Sequence, residues 1–275
     1  MPAPFAEWSD YFRDTMRKFV KGDQGIIQAV VDCLSGKEIF FTDPLKGSNQ
    51  SIHFITAHDG FTLNDLVSYN QKHNEANGED NRDGHNANYT YNWGVEGDTN
   101  QEEILCQRQK IKRNLYSLLL LSKGTPMILM GDELGRTQKG NNNAFCQDNE
   151  LVWVDWTKQE TLYDFVEGVI RLRKQLDYYK HAEDYQLSWH GVKWNQPDLS
   201  YYSRSIACYI LGKESLFLIA NSYYESLSFD LPVIEGKWVQ VLNTSQTEAL
   251  KHQDIMTPQV MMLPYSVCLY KADIL

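Results

Sequence analysis

The sequence predicts a chain in two parts, an α/β segment followed by an all-β one. Three observations carry that expectation. Apolar, strand-like runs alternate with amphipathic helical patterns over the first two-thirds of the 275 residues. From Tyr185 onward, short runs rich in β-branched and aromatic residues are separated by turn formers, as in an antiparallel sandwich. The change of character near residue 180 sets the expected domains at 1–182 and 183–275.

Each element has its own signal. "SIHFITAH" at 51–58 is apolar on both faces, like a strand in a parallel sheet. It ends abruptly on His58-Asp59-Gly60. The next stretch, "FTLNDLVSYNQKH", reads as a helix with Thr62 and Asp65 at capping-box spacing and Leu63, Leu66 and Val67 on one face. Residues 73–100 are polar and rich in Gly and Asn; a loop that long in a compact domain is functional or disordered. A long helix follows from Glu102 to Ser122, with Thr99 and Glu102 as a second capping box and Ile104, Ile111, Leu115 and Leu118 as its stripe. "TPMILMGDE", 125–133, is a second buried strand ending in acidic residues. A further helix starts after Thr157, with Glu160 three residues on and Leu162, Phe165, Val166, Val169 and Leu176 facing inward. The sandwich strands are expected in "YQLSWHG", "SYYSRSIACYIL", "SLFLIANSY", "LSFDL", "KWVQVLN" and "SVCLYK".

Composition narrows the function. A formal charge of −10 argues against nucleic acid or an anionic membrane as partner, since both require basic patches. Seven Trp and sixteen Tyr would suit stacking on sugar rings, although aromatic residues also fill cores. The five cysteines lie far apart with no CxxC pair, so a reducing cytosol is the expected compartment. "MPAPFAEWSD" lacks the basic and apolar regions of a signal peptide, and "LYSLLLL" is too short to span a bilayer.

Two strands ending in acidic residues mark one open face of a parallel fold as the place where function collects. Metal chemistry fits poorly there. Glu79, Asn81, Asp83 and Gly84 imitate the start of a calcium loop, but its twelfth position is Thr90, which has no carboxylate. No pair of histidines is spaced for zinc beside a third ligand. No metal and no cofactor are expected. A hydrolase triad is unsupported, because G-x-S-x-G is absent. Carbohydrate chemistry fits better, since glycoside hydrolysis needs carboxylates around an electron-poor anomeric carbon. The plain alternative for His58-Asp59 is an aspartate capping the next helix, with His58 satisfied in the strand layer.

"FITAHDGFTL" resembles the seventh-strand segment of the α-amylase superfamily, in the form typical of isoamylases and bacterial glycogen-debranching enzymes. The similarity continues through "NEANGEDNRDG", "SKGTPMILMGDELGRTQKGNNNAFCQDN" and "WVDW", and includes "PFAEWSDYFRD" near the start. It implies the C-terminal part of a (β/α)8 TIM barrel, about strands six to eight, followed by a β-sandwich. It implies a retaining α-1,6-glucosidase acting on branched α-glucan such as glycogen. Asp59 matches the transition-state-stabilising aspartate and His58 its sugar-contacting neighbour. Asn77, Arg82 and Trp93 fall in a segment near the substrate cleft, while Asp132 and Glu133 sit at the eighth strand.

One departure limits the carry-over. The family's nucleophile lies in G-F-R-x-D on strand four and its acid Glu at the end of strand five; neither context occurs here. The resemblance therefore implies a chain inactive alone, which associates with itself or with its missing half through open barrel edges. A non-catalytic glucan-binding or regulatory module is the other reading.

Overall fold

The structure, a computed structural model, describes residues 5–37, 51–158 and 161–274. Strand β1 (Glu7–Ser9) turns directly into helix α1 (Asp10–Val20), because Ser9 caps the helix by accepting the Phe12 N–H at 3.0 Å. Helix α2 (Ile27–Ser35) and strand β2 (Ser51–His53) follow. Then come the one-turn helix α3 (Leu63–Leu66), the long helix α4 (Glu102–Leu120), strand β3 (Thr125–Pro126) and helix α5 (Thr161–Gln175). The three strands form one parallel sheet in chain order, with Glu7 opposite Ser51 and Ile52 opposite Thr125. These are consecutive strand–helix units.

Several expected elements are shorter than their sequence patterns. Strand β2 stops at His53 because its neighbour β1 ends at Ser9 and becomes helix. Beyond it the chain stays buried, but a side chain takes over the ladder: Arg17 donates to the Ile55 carbonyl at 2.9 and 2.6 Å. The 125–133 run is a strand for two residues only, and Met127 to Met130 lie half-buried or exposed at the sheet edge. The helix expected over 61–73 closes after one turn, because Glu96 takes the Asn70 and Gln71 N–H groups into a loop. At Thr62 the cap forms, with its hydroxyl accepting from the Asp65 N–H. The Thr99–Glu102 box does not: the cap of α4 is Gln101, and Thr99 accepts from the Gln101 N–H instead. Glu160 lies outside the described residues.

The second part begins with strands β4 (Gln186–His190), β5 (Ser205–Leu211), β6 (Ser215–Asn221) and β7 (Leu227–Asp230). It ends with β8 (Lys237–Asn243), β9 (Gln253–Ile255), β10 (Gln259–Met262) and β11 (Ser266–Asp273). Six of them make an antiparallel sheet in the order β4-β5-β6-β11-β8-β9, and β10 with β7 forms a second, two-stranded sheet. Every expected sandwich run contains a strand. The polar β9 and the alternating β10 carry too little apolar sequence to announce themselves.

The core explains why β6 is buried along its whole length. Alternate residues point to opposite faces of a strand. Leu216, Leu218 and Ala220, with Ile206, Cys208, Ile210, Val267 and Leu269, pack into one cluster with the helices. Phe217, Ile219, Cys268 and Tyr270 pack with Phe229, Val260 and Met262 under the small sheet. The six-stranded sheet is thus the middle layer between helices and the two-stranded sheet. Among the described residues, no helix is long and apolar enough to cross a membrane.

Candidate active site

Helix α1 and the loops after β2 and β3 leave the same side of the parallel sheet, and His58-Asp59 lies in the loop after β2. Both side chains face solvent, 72% and 65% exposed, with His58 Nε2 3.2 Å from Asp59 Oδ2. The capping alternative fails here. Helix α3 is capped by Thr62, and its first free N–H, at Leu63, is taken at 3.0 Å by Asp132. Asp59 is therefore left as an accessible acceptor with His58 as its neighbour. The Trp8 ring stands edge-on to His58 at 6.0 Å and is itself half exposed.

What holds this loop is a buried carboxylate. Asp132 is 1% exposed; one oxygen accepts from the Thr56 hydroxyl and the other from the Leu63 N–H. It clamps the chain on both sides of His58-Asp59. Between the clamps, the Gly60 N–H donates to the Asn142 carbonyl at 3.0 Å. Burial pushes the Asp132 carboxyl up to about 7, partly opposed by its two hydrogen bonds. Asp65 does the same for the following segment, accepting from the Thr137 hydroxyl and from the Gln138 N–H at 2.8 Å, with burial raising it to about 6. Glu133, by contrast, stays local and accepts from the Gly131 N–H.

The long polar loop is ordered by side-chain hydrogen bonds. Arg108 on α4 donates to the carbonyls of Asn92, Val95 and Gly97, and Arg17 on α1 to those of Ile55 and Asn88. Amide side chains then lace this loop to residues 141–147. Asn74 and Asn142 exchange hydrogen bonds at 2.9 Å, and Asn142 also reaches Asn88. A glycine is required at Gly84, where φ is +72° and a Cβ would lie 2.2 Å from Asn142 Oδ1.

The expected cleft residues occupy different places. Asn77 is in this amide network: its Nδ2 donates to Asp83 at 2.7 Å and its Oδ1 accepts from Asn141 and Gln147, both at 2.8 Å. Arg82 is exposed beside Asp80. Trp93 packs on the core, with Tyr91 and Tyr265 as ring neighbours rather than the His58–Asp59 pair. Sequence reasoning missed the buried Arg17, the exposed Trp8 on β1, and the exposed Phe145, Trp153 and Trp156 between β3 and α5. Arg17's only signal is its place on the stripe of Met16 and Val20; the three loop aromatics fall in "NAFCQDNELVWVDW", which has no periodicity to place them. Among the described residues, no cluster of three or more His, Cys, Asp or Glu side chains could hold a metal ion.

No protein-family model matches the chain. Curated proteins do. A glycogen operon protein GlgX homolog of Haemophilus influenzae is 42% identical over 259 residues, covering 88% of this chain and 38% of that protein. A glycogen debranching enzyme of Pectobacterium carotovorum is 45% identical over 245 residues, covering 89% and 35%. The chain is a relative of the bacterial glycogen-debranching enzymes. It spans only 24% to 38% of the length of such relatives. Among solved structures, a pullulanase from Bacillus acidopullulyticus superposes with TM-score 0.69 at 18% identity, over 97% of this chain and 30% of that one. A group B Streptococcus pullulanase in complex with maltotetraose gives 0.67 at 15%, over 98% and 39%. At such identities the likeness is one of fold. The fold is the expected one, the C-terminal part of a (β/α)8 barrel followed by a β-sandwich.

Proposed function

We propose that the chain is part of a debranching glycoside hydrolase that cleaves α-1,6 branch points of glycogen or a related α-glucan by a retaining mechanism. Residues 1–182 are the C-terminal part of its catalytic barrel, and 183–275 its sandwich. The observation that carries this reading is the exposed His58–Asp59 pair at a strand end, in a chain 40–48% identical to proteins named for glycogen debranching or the glycogen operon. Asp59 stabilises the positive charge that develops on the sugar ring, and His58 donates to a sugar hydroxyl. The loop carrying Asn77, Arg82 and Trp93 borders the cleft; Asn77 acts by holding that loop, and Arg82 offers the accessible charge.

The chain has no match to the nucleophile or acid contexts. Alone it lacks both the covalent step and leaving-group protonation, and is inactive. Sheet edges β1 and β3 are where the preceding part of the barrel, or a second copy, adds strands. Its compartment is the cytoplasm.

A chimera tests this directly. Residues 5–274 would replace the matching segment of a glycogen-debranching relative, and reducing ends released from branched glucan would be measured. The chimera is expected to be active, Asp59→Asn to lower its kcat about 10³-fold, and the isolated chain to release nothing. Hydrolysis by the isolated chain, or an Asp59→Asn chimera within about tenfold of its parent, would overturn the reading.

A further inference from the structure

We propose that an exposed tyrosine patch at one end of the six-stranded sheet is a second, non-catalytic holding site for an α-glucan chain. The register builds it. Ser205 on β5 and Ser266 on β11 both pair with Asn221 on β6, so residues just outside these positions emerge side by side. Arg204 joins them: its carbonyl accepts the Ser222 N–H at 2.9 Å, and its guanidinium lies 5.7 Å over the Tyr223 ring. Tyr201, Tyr202 and Tyr224 are 63%, 73% and 57% exposed. Tyr223 and Tyr224 are tilted against each other at 4.2 Å and joined by a 3.0 Å bond between their hydroxyls. Tyr201 and Tyr202 meet edge to face at 5.4 Å.

The patch lies away from the His58–Asp59 loop. The turn between α1 and α2 supports it: Gly25 N–H donates to the Tyr201 carbonyl at 2.7 Å, and a Cβ on Gly22 would lie 3.1 Å from the Ser222 carbonyl. Helix α1 starts at the C-terminal end of β1 and runs back along the sheet, so this turn is at the opposite end of the strand–helix unit from the strand-end loops.

The chemistry favours a sugar polymer. A tyrosine ring offers its apolar face to the C–H side of a pyranose and keeps a hydroxyl at the rim to bond the sugar's own. Glu225, exposed beside Tyr224, adds a carboxylate acceptor. Glycogen presents many equivalent chains, so a second grip raises the effective concentration of the substrate at the first. The inference rests on the glucan reading above.

Mobility of the purified chain in native gels containing increasing glycogen gives the dissociation constant. The variants are Tyr202→Ala/Tyr224→Ala and the stacking-competent Tyr202→Trp/Tyr224→Trp. The double alanine variant is expected to weaken retardation about tenfold or more, and the tryptophan pair to retain it. Equal retardation of wild type and the alanine variant overturns the second site while leaving the glucan reading intact. No retardation of wild type also overturns it, and the glucan reading then stands or falls on the chimera. A dimer seen by sedimentation and lost in the alanine variant would make the patch a self-association surface, and overturn the inference.

Discussion

At the scale of single residues, Asp132 links stability to the reading of the site. Its carboxyl titrates near an ordinary value of about 3.9 in the unfolded chain and about 7 when folded, so between these the native state binds more protons. Stability contributed by the protonated form is present below about pH 4 and lost as pH rises to about 7. Asp65, raised to about 6, adds to the same trend over a narrower window. Unfolding midpoints in urea should therefore fall from pH 5 to pH 8. In Asp132→Asn the fall between pH 6 and 7 should disappear, a difference of about 1 kcal/mol over that unit and on the order of 2–3 kcal/mol from pH 5 to pH 8. The asparagine can still accept from Leu63 N–H and donate to the Thr56 hydroxyl, so the loop keeps its clamp. An unchanged pH profile in that variant would remove Asp132 as the source. Arg17 makes a complementary case. Burial lowers it to about 9, so it remains a cation at neutral pH, engaged by two carbonyls. Arg17→Met leaves those carbonyls buried and unpaired, with an expected loss of about 2–4 kcal/mol in the same urea titration. A loss below about 0.5 kcal/mol would mean that the segment re-pairs elsewhere.

At the scale of elements, α5 contains a glycine whose reason is outside the helix. A Cβ on Gly168 would lie 2.2 Å from Leu250 Cδ1, on the segment that joins β8 to β9. The missing methyl is what lets that segment seat on the helix. Gly168→Ala should gain about 1 kcal/mol of helix propensity and lose slightly more as the half-buried Leu250 side chain turns away, for a net destabilisation below about 1 kcal/mol. With Leu250→Ala already present, the same substitution should become stabilising by about 1 kcal/mol. Thermal denaturation of the four proteins reads the sign change, and a destabilising Gly168→Ala in both backgrounds would refute the packing account. Contacts of this kind mark the limit of what the sequence conveys. The helix faces were visible because periodicity is local: Leu162, Phe165, Val166 and Val169 are all buried where the pattern put them. His58-Asp59 was visible as a break in an apolar run. The two-residue β3, the shortened β2 and the one-turn α3 were not, because their ends are set by partners elsewhere: β1 turning into helix, Arg17 on a carbonyl, Glu96 on two N–H groups. Asp132 showed as an acidic strand end, but nothing in the chain order says that it joins Thr56 to Leu63.

At the scale of the whole molecule, the change from helices to antiparallel strands between α5 and β4 differs from a boundary of cooperativity. The face of the six-stranded sheet that meets the helices is apolar, and Ile206, Leu216, Leu218 and Leu269 share one core with Phe12, Leu115, Leu118 and Val169. Side-chain bonds cross the same junction: Asn114 on α4 donates to the Tyr265 carbonyl at 2.9 Å and accepts from the Thr244 hydroxyl at 2.5 Å. Domains joined by a small polar interface unfold separately, whereas a shared apolar layer couples them. The chain should therefore unfold in one transition. Hydrogen exchange pulsed at each urea concentration and read by mass spectrometry should give the same urea midpoint for peptides of α4 and α5 as for peptides of β5, β6 and β11. A fragment of residues 183–275 exposes the face that the helices cover. It should bind hydrophobic dyes and lack a cooperative transition. Two separate midpoints in the full chain, or a fragment that unfolds as sharply as the whole, would place the unit of stability at the architectural boundary instead.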